Sequence, residues 1–134
     1  MAGPERYDAF SLMRRFRTDE AALGDALTLF VDREDYGFVW LAYAGSTCVG
    51  CVSAGYAIGT AAGGLIATLA DLYVIPEGRR RGIATTMLDD LHTRFDALGV
   101  QRVEIAAPAD PALQAFLRSR GYTSAGDVRF TYPG

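Results

Sequence analysis

The chain has 134 residues, of which 50% are hydrophobic and 22% charged, a composition typical of a globular protein with one core. Its formal net charge of −3 argues against nucleic acid as the main partner. No apolar run approaches the roughly 20 residues of a membrane span, and the first residues lack the apolar segment of a signal peptide. We therefore predict one domain over residues 1–134, cytoplasmic and without a membrane partner.

Two amphipathic helices are predicted in the first quarter of the chain. Residues 5–16 place aromatic and aliphatic side chains on one broad face. Thr18 is a favourable N-cap for the second helix, because Asp19 and Glu20 follow in its first turn. Four acidic residues of this region either attract a cationic amine or simply face solvent: Asp8, Asp32, Glu34 and Asp35.

Residues 38–44 and 47–58 predict two strands joined by a tight turn. Cys48 and Cys51 lie in the second strand, three residues apart, so we expect two buried small side chains on opposite faces. A zinc ribbon needs a second cysteine pair, and a thioredoxin-type motif needs to begin a helix. We therefore predict no metal site and no redox site here.

A strand, a polar turn and a helix follow one another in the middle of the chain. After a glycine-rich loop at 59–64, residues 65–75 predict an apolar strand that Pro76 ends, because proline cannot donate to a strand ladder. Residues 83–98 carry apolar side chains at helical spacing, which predicts an amphipathic helix that stops at Gly99.

The turn between this strand and this helix has the properties of an anion site. It carries Arg79, Arg80 and Arg81 just before Gly82. The first backbone N–H groups of a helix lack internal partners, and arginine side chains pair with phosphate. The sequence fits neither the ATP-binding loop nor the dinucleotide fingerprint. We interpret the turn as a pyrophosphate site, the alternative being a solvated arginine cluster.

The last third of the chain predicts a strand at 100–107, a helix at 112–120 and one or two strands within 122–132. The whole order is then helix, helix, three strands, helix, strand, helix and a final strand region. That order predicts an α/β fold with a mixed sheet.

The central turn resembles the acetyl-CoA-binding motif of the GNAT superfamily of N-acetyltransferases. The matching pattern is Arg79-x-x-Gly82-x-Ala84, preceded by Val74-x-Pro76. The resemblance implies that family's fold, a mixed, mostly antiparallel twisted sheet flanked by helices. The family usually opens with a strand ahead of its first two helices, and this first strand is missing here. One sheet edge is therefore bare or covered by a second subunit, which favours a homodimer.

The resemblance also implies acetyl-CoA as co-substrate. The end of the central strand would pair with the pantetheine arm, and the N–H of Val74 would face the thioester oxygen. Amides of the turn and of the helix start would hold the pyrophosphate, with the arginine side chains adding affinity. The implied cofactor-binding residues are Leu72, Tyr73, Val74, Arg79, Arg80, Arg81, Gly82, Ile83, Ala84 and Thr85.

The same resemblance suggests candidates for proton transfer. An alkyl amine with a pKa of about 10.4 must lose a proton at neutral pH, so a general base matters most. The base candidate is Asp71, whose alternative role is a structural carboxylate paired with an arginine or a backbone N–H at a strand bulge. Leu117 replaces the family's usual tyrosine acid, which leaves Tyr73 and Tyr122 as candidate hydroxyls, with core packing as the alternative for Tyr122. His92 is predicted to face solvent.

The sequence thus predicts an acetyl-CoA-dependent N-acetyltransferase that acts directly on the primary amine of a small molecule. One alternative is a GNAT-fold module that binds an acyl-CoA without turnover, which Leu117 favours, as does Ala70, where diamine-type relatives carry a glutamate. The other is a transferase whose acceptor is a protein lysine or N-terminus.

Overall fold

The computed structural model describes residues 1, 3–106, 110–126 and 129–132. Four helices and four strands are present in this part of the chain, and a single 3-10 turn, Pro76–Gly78, follows the third strand. In chain order they are α1 Gly3–Met13, α2 Glu20–Asp32, β1 Gly37–Ala44, β2 Thr47–Gly59, β3 Gly64–Val74, α3 Ile83–Leu98, β4 Arg102–Ile105 and α4 Pro111–Ser119.

Local capping explains where the helices begin and end. The carboxylate of Asp19 accepts from the N–H of Ala22 at 3.0 Å, so Asp19 caps α2 and the prediction of Thr18 as the N-cap is wrong by one residue. Asp110 caps α4 in the same way, and Pro111 occupies the first helical position. Gly99 ends α3 in the left-handed conformation, as the sequence predicts.

The sheet is mixed and mostly antiparallel, in agreement with the predicted fold class. Its strand order is β1-β2-β3-β4; the first two pairings are antiparallel and the β3–β4 pairing is parallel. Among the described residues no strand precedes α1, so the outer edge of β1 has no strand partner in this part of the chain.

Helices cover both faces of the sheet. On one face, α3 and α4 bury an apolar cluster that includes Val52, Leu69, Leu88, Phe95 and Leu117. On the opposite face, α1 and α2 bury a second cluster, which includes Leu12, Met13, Leu27, Val39 and Cys51. The sheet therefore lies between two apolar layers, and its strand ends are the parts left to build a site.

The prediction of final strands within residues 122–132 is wrong for the residues that the structure describes, 122–126 and 129–132, which form no strand. The exposed fractions of Phe130 and Tyr132 are 92% and 93%, so their alternation with polar residues buries no face against a core. The predicted strand at 100–107 is shorter, Arg102–Ile105, and Ala107 lies outside the described residues.

A β-bulge corrects the prediction for the two cysteines. The β1–β2 register shifts where Ala42 faces Gly50 and Tyr43 faces Cys48, so Val49 is an extra residue in β2. This extra residue inverts the alternation, and both cysteines pack against the α1–α2 cluster instead of opposite faces. Both are free thiols, Cys51 fully buried and Cys48 partly exposed. Burial raises the pKa of Cys51 to about 12 and raises that of Cys48 as well.

None of the helices in the described part of the chain combines the length and the hydropathy that crossing a membrane requires.

Candidate functional site

The turn after β3 has an unusual backbone conformation. The N–H of Ile75 donates to Val49 O at 2.9 Å and closes the β2–β3 ladder. Arg80 and Gly82 then both take positive φ values, 65° and 74°. Such left-handed residues beside ordinary ones turn successive N–H groups toward one side and form a concave anion site. Because Gly82 has no side chain, it adopts this conformation without strain directly before α3.

The first amides of α3 are unsatisfied. The helix ladder starts with the N–H of Thr86, which donates to Gly82 O at 2.9 Å. Gly82 offers no side-chain cap. Within the described part of the chain, the N–H groups of Ile83, Ala84 and Thr85 donate to no protein acceptor. Three donors and the positive end of a 16-residue helix therefore face the turn.

A cavity of about 280 Å³ lies against these amides. It includes all the residues predicted for cofactor binding except Leu72, Tyr73 and Arg81, and it adds Gly78 and, from α4, Phe116, which the sequence prediction missed. Phe116 had no motif to mark it, only an apolar position in a short helix. The lining residues are Val74, Gly78, Arg79, Arg80, Gly82, Ile83, Ala84, Thr85 and Phe116.

Strands β3 and β4 stop pairing before β3 ends. The parallel ladder joins residues 66–69 to residues 102–105, whereas β3 continues to Val74. Because Ile75 donates to β2, the alternation of an antiparallel ladder directs the backbone groups of Val74 and Leu72 to the opposite, unpaired edge. It directs those of Tyr73 toward β2, away from the edge where a ligand arm would pair.

The side chain of Arg79 lies along this unpaired edge. Its Nε donates to the carbonyl oxygen of Val74 at 3.1 Å, and its guanidinium carbon is 5.7 Å from the centre of the Tyr73 ring. Arg79 therefore bridges the strand end and the cavity that it also lines. Arg81 lies apart and borders a second cavity, of about 340 Å³, between α3 and β1.

Asp71 lies in a bulge of β3. The β2–β3 register shifts between Cys51 and Ser53, so Val52 alone faces two residues of β3, and Asp71 takes a positive φ of 57°. Its Oδ1 accepts from Nε of Arg17 at 2.8 Å and also from Nη2 of the same guanidinium. Its Oδ2 accepts from the hydroxyl of Ser53 at 2.7 Å. The Asp71 side chain remains 17% exposed.

The structure thus gives Asp71 the arginine partner of its alternative role, and both carboxylate oxygens are engaged. The sequence prediction named neither Arg17 nor Ser53. No spacing pattern could have linked them, since Arg17 lies 54 residues from Asp71 and Ser53 lies 18.

The two tyrosine candidates lie on opposite faces of the sheet. Tyr73 packs toward α1, with its ring centre 4.9 Å from that of Phe16. Tyr122 packs against the α3–α4 cluster, and its hydroxyl lies 2.9 Å from Nε2 of His92. Burial raises the pKa of Tyr122 to about 12. The structure therefore brings Asp71 and Tyr73 to one face and separates Tyr122 from them.

The structure also shows the positions of His92, Leu117 and the candidate acidic residues. His92 is partly buried and bonded to Tyr122, so the prediction of a solvated histidine is wrong. Leu117 is buried in the α3–α4 cluster. Asp8 accepts from the hydroxyl of Tyr43 at 2.6 Å and Asp35 pairs with Arg33, so these acids already have partners. In the described residues, no three His, Cys, Asp or Glu side chains converge as metal ligands.

Comparison with known proteins gives a family match over most of the chain. The model of the acetyltransferase (GNAT) family matches residues 6–122. A search of curated proteins found no significant match.

Solved structures share the fold at low sequence identity. An aminoglycoside N-acetyltransferase in complex with CoA has a TM-score of 0.85 at 14% identity, covering 99% of this chain and 91% of that one. The aminoglycoside 6'-N-acetyltransferase of Acinetobacter haemolyticus has a TM-score of 0.83 at 19% identity, covering 100% and 95%. A ribosomal-protein-alanine N-acetyltransferase from Brucella melitensis has a TM-score of 0.76 at 16% identity, covering 98% and 94%.

Proposed function

The chain belongs to the GNAT acetyltransferase family, and on that premise we propose that it transfers an acetyl group from acetyl-CoA to the primary amine of a small molecule. The observation that carries the proposal is the set of unsatisfied amides at the start of α3, which faces a cavity of about 280 Å³. A diphosphate supplies the acceptor oxygens that these amides lack.

Residues of the turn and of the end of β3 support binding of the diphosphate and the pantetheine arm of CoA. The amides of Ile83, Ala84 and Thr85 would hold the pyrophosphate, together with those of Arg80 and Gly82. The unpaired edge at Leu72 and Val74 offers backbone groups to the pantetheine amides, as an added strand would. The carbonyl oxygen of Val74 keeps a second lone pair beside its bond from Arg79.

This geometry supports direct attack by the amine. Acetyl-CoA supplies the activated acetyl group, and the N–H of Val74 would stabilise the negative charge that develops on its carbonyl oxygen. Deprotonating an alkyl ammonium at pH 7 costs about 4–5 kcal/mol, so a carboxylate that takes the proton accelerates the reaction. Asp71 is our proposed base, since it precedes Leu72 at the unpaired edge and keeps part of its surface exposed.

A small-molecule acceptor is supported by the aminoglycoside N-acetyltransferases among the similar folds. A protein acceptor is supported by the ribosomal-protein-alanine enzyme. Because all three share under 25% identity with this chain, the choice between them depends on assay.

A second candidate function is acyl-CoA binding without turnover. It is favoured by the Arg17 and Ser53 bonds that occupy both oxygens of Asp71, and by the apolar Leu117 in the α3–α4 cluster. In this reading the acid only maintains the bulge.

Calorimetry and a thiol-release assay separate these functions. We expect saturable acetyl-CoA binding, CoA release with at least one amine of a broad panel, and a loss of about a hundredfold or more in kcat for Asp71→Asn. Asp96→Asn, on the exposed far end of α3, is the matched control and should keep full activity. Binding with no turnover across the panel would support the silent binder, and no binding would overturn both.

We also propose that residues 1–134 act as one GNAT domain in the cytoplasm and that the bare edge of β1 pairs with a second copy. The free thiols of Cys48 and Cys51 support a reducing compartment. The missing edge partner supports the dimer, which sedimentation velocity tests directly.

A further inference from the structure

Arg17 binds Asp71 through only one side of its guanidinium. Nε donates to Oδ1 at 2.8 Å, and Nη2 donates to the same oxygen. Arginine carries five N–H donors in a planar fork. In the described part of the chain, the remaining Arg17 donors, on Nη1 and the outer side of Nη2, have no acceptor. The side chain is 52% exposed, so this second edge of the fork is open to solvent.

The surroundings of this free edge are aromatic and positively charged. The Arg17 guanidinium carbon lies 5.5 Å from the centre of the Phe16 ring, which packs on Tyr73. Arg79 contacts the same pair, with its guanidinium carbon 5.7 Å from the Tyr73 ring centre. The carboxylate bonded to Arg17, that of Asp71, also accepts from Ser53. Two guanidinium groups thus contact one aromatic pair, and the carboxylate bonded to Arg17 is already compensated.

The free edge belongs to the residue that holds Asp71, the proposed base. Asp71 directly precedes Leu72, whose backbone groups face the unpaired edge of β3. An amine that gives its proton to Asp71 therefore comes close to the Arg17 guanidinium, which is bonded to that carboxylate.

We propose that Arg17 selects acceptor amines that also carry a carboxylate. The open Nη1 and Nη2 edge binds that carboxylate through two parallel hydrogen bonds, the geometry that arginine provides and lysine does not. This inference rests on the proposed acetyl transfer. It names a specificity-determining residue and a substrate class, amino acids or compounds that contain an amino-acid head.

Acetyl transfer to such an acceptor forms one bond and breaks one. The amine nitrogen forms the C–N bond to the acetyl carbon while the C–S bond to CoA breaks. The acceptor ammonium loses one proton to the carboxylate of Asp71 before the attack and a second after it. Asp71 passes each proton to solvent, and the departing thiolate takes one proton from solvent. A polycationic acceptor gains nothing from this arrangement, because Arg17 repels it and already compensates Asp71.

The acceptor test uses matched pairs that differ only in the carboxylate. Glycine, β-alanine, γ-aminobutyrate and ε-aminocaproate are each compared with the amine of the same chain length that lacks it. We expect kcat/KM for at least one amino acid to exceed that of its partner by about tenfold or more, mainly through KM. The length that gives the largest ratio measures the span from Arg17 to the acetyl carbon.

Variants then identify the residue responsible. Arg17→Gln should reduce this ratio to near one, and Arg17→Lys should recover only part of it, because a single ammonium does not reproduce the fork. Any change in Asp71 caused by losing its partner affects both members of a pair equally and cancels in the ratio. Arg15→Gln, an exposed arginine on the same α1–α2 connection, is the control and should keep the wild-type ratio.

Binding gives a readout independent of turnover. Calorimetry of γ-aminobutyrate or β-alanine into CoA-saturated protein should give heat that Arg17→Gln abolishes and Arg15→Gln retains. Equal rates for amines with and without the carboxylate, or a ratio unchanged in Arg17→Gln, would overturn the inference while leaving acetyl transfer intact. Failure of acetyl-CoA to bind would overturn the proposed function itself.

Discussion

The β-bulge at Asp71 determines which side chains meet near the end of β3. Without the bulge, period-two alternation would carry each side chain of the strand to a fixed face. With it, Asp71 adopts a left-handed conformation and reaches both Arg17 and Ser53. A carboxylate held on both oxygens has one orientation, and a general base needs a fixed orientation before it needs any particular pKa.

The burial of the Tyr122 hydroxyl yields a prediction about alkaline stability. The raised pKa of Tyr122, about 12 when folded against about 10 for a free phenol, means that the unfolded chain loses the proton first. Its contribution to stability is therefore complete below about pH 10 and declines between about pH 10 and 12. Tyr122→Phe should cost about 1 kcal/mol at pH 8 and should reduce this decline, as measured by urea unfolding across the range.

The comparison between wild type and Tyr122→Phe cancels the titration of the other tyrosines and of Cys51. If the two proteins lost stability in parallel from pH 8 to pH 12, the phenol would titrate alike in the folded and unfolded chains, against this prediction.

The two thiols should differ in reactivity. Cys51 is fully buried with a pKa raised to about 12, whereas Cys48 is partly exposed. Since the thiolate is the reactive form, brief treatment of the folded protein with iodoacetamide should modify Cys48 alone, and treatment in urea should modify both. Peptide mass mapping measures this. Modification of Cys51 in the folded protein would contradict its full burial.

At the scale of elements, the start of α3 combines a strained turn with a helix dipole. Gly82 and Gly99 flank the helix with φ values of 74° and 75°, and a Cβ at either position would meet no atom within 4 Å. Gly82→Ala and Gly99→Ala should therefore cost similar stability, about 1–2 kcal/mol each, through backbone strain alone.

Ligand binding should distinguish these two variants. Only Gly82→Ala places a methyl group beside the unsatisfied amides, so only this variant should weaken acetyl-CoA binding, by about tenfold or more when measured by calorimetry. Equal affinity in the two variants would place the diphosphate elsewhere than at the start of α3.

Elements with a strong local signal were predictable from the sequence. Helical periodicity and a terminal glycine defined α3, and proline marked the end of β3. The errors arose where tertiary structure decides. Phe130 and Tyr132, which the sequence pattern assigned to a strand, are almost fully exposed. One extra residue in β2 reversed the face of Cys48.

The residues of the candidate site divide in the same way, into those that local sequence predicts and those that only folding brings together. The turn residues of the cavity were predictable, because strand, glycine and helix start are adjacent in sequence. The partners of Asp71 were not, because they come from a connection and a strand that only folding brings together. The backbone of Tyr73 was assigned to the ligand edge without knowledge of the ladder alternation.

At the scale of the whole molecule, helices cover both faces of the sheet, so the strand ends are the parts of the sheet that are open to a ligand. A ligand that binds there only in the folded state stabilises every layer by mass action. Acetyl-CoA at a hundred times its Kd should add about 2.7 kcal/mol and raise the Tm by roughly 8 °C in a thermal melt. An unchanged Tm at saturating acetyl-CoA would argue against the site.

The amides at the start of α3 belong to the peptide chain itself, and every amino acid other than proline provides the same donor. Evolutionary drift can therefore exchange Ile83 or Thr85 without removing the donors, provided that the helix persists and the neighbouring side chains stay small. Acceptor recognition depends on side chains such as Arg17 and carries no such tolerance. Among related proteins, we therefore expect binding of the acetyl-CoA diphosphate to be retained while acceptor specificity changes. A single substitution is enough for that change.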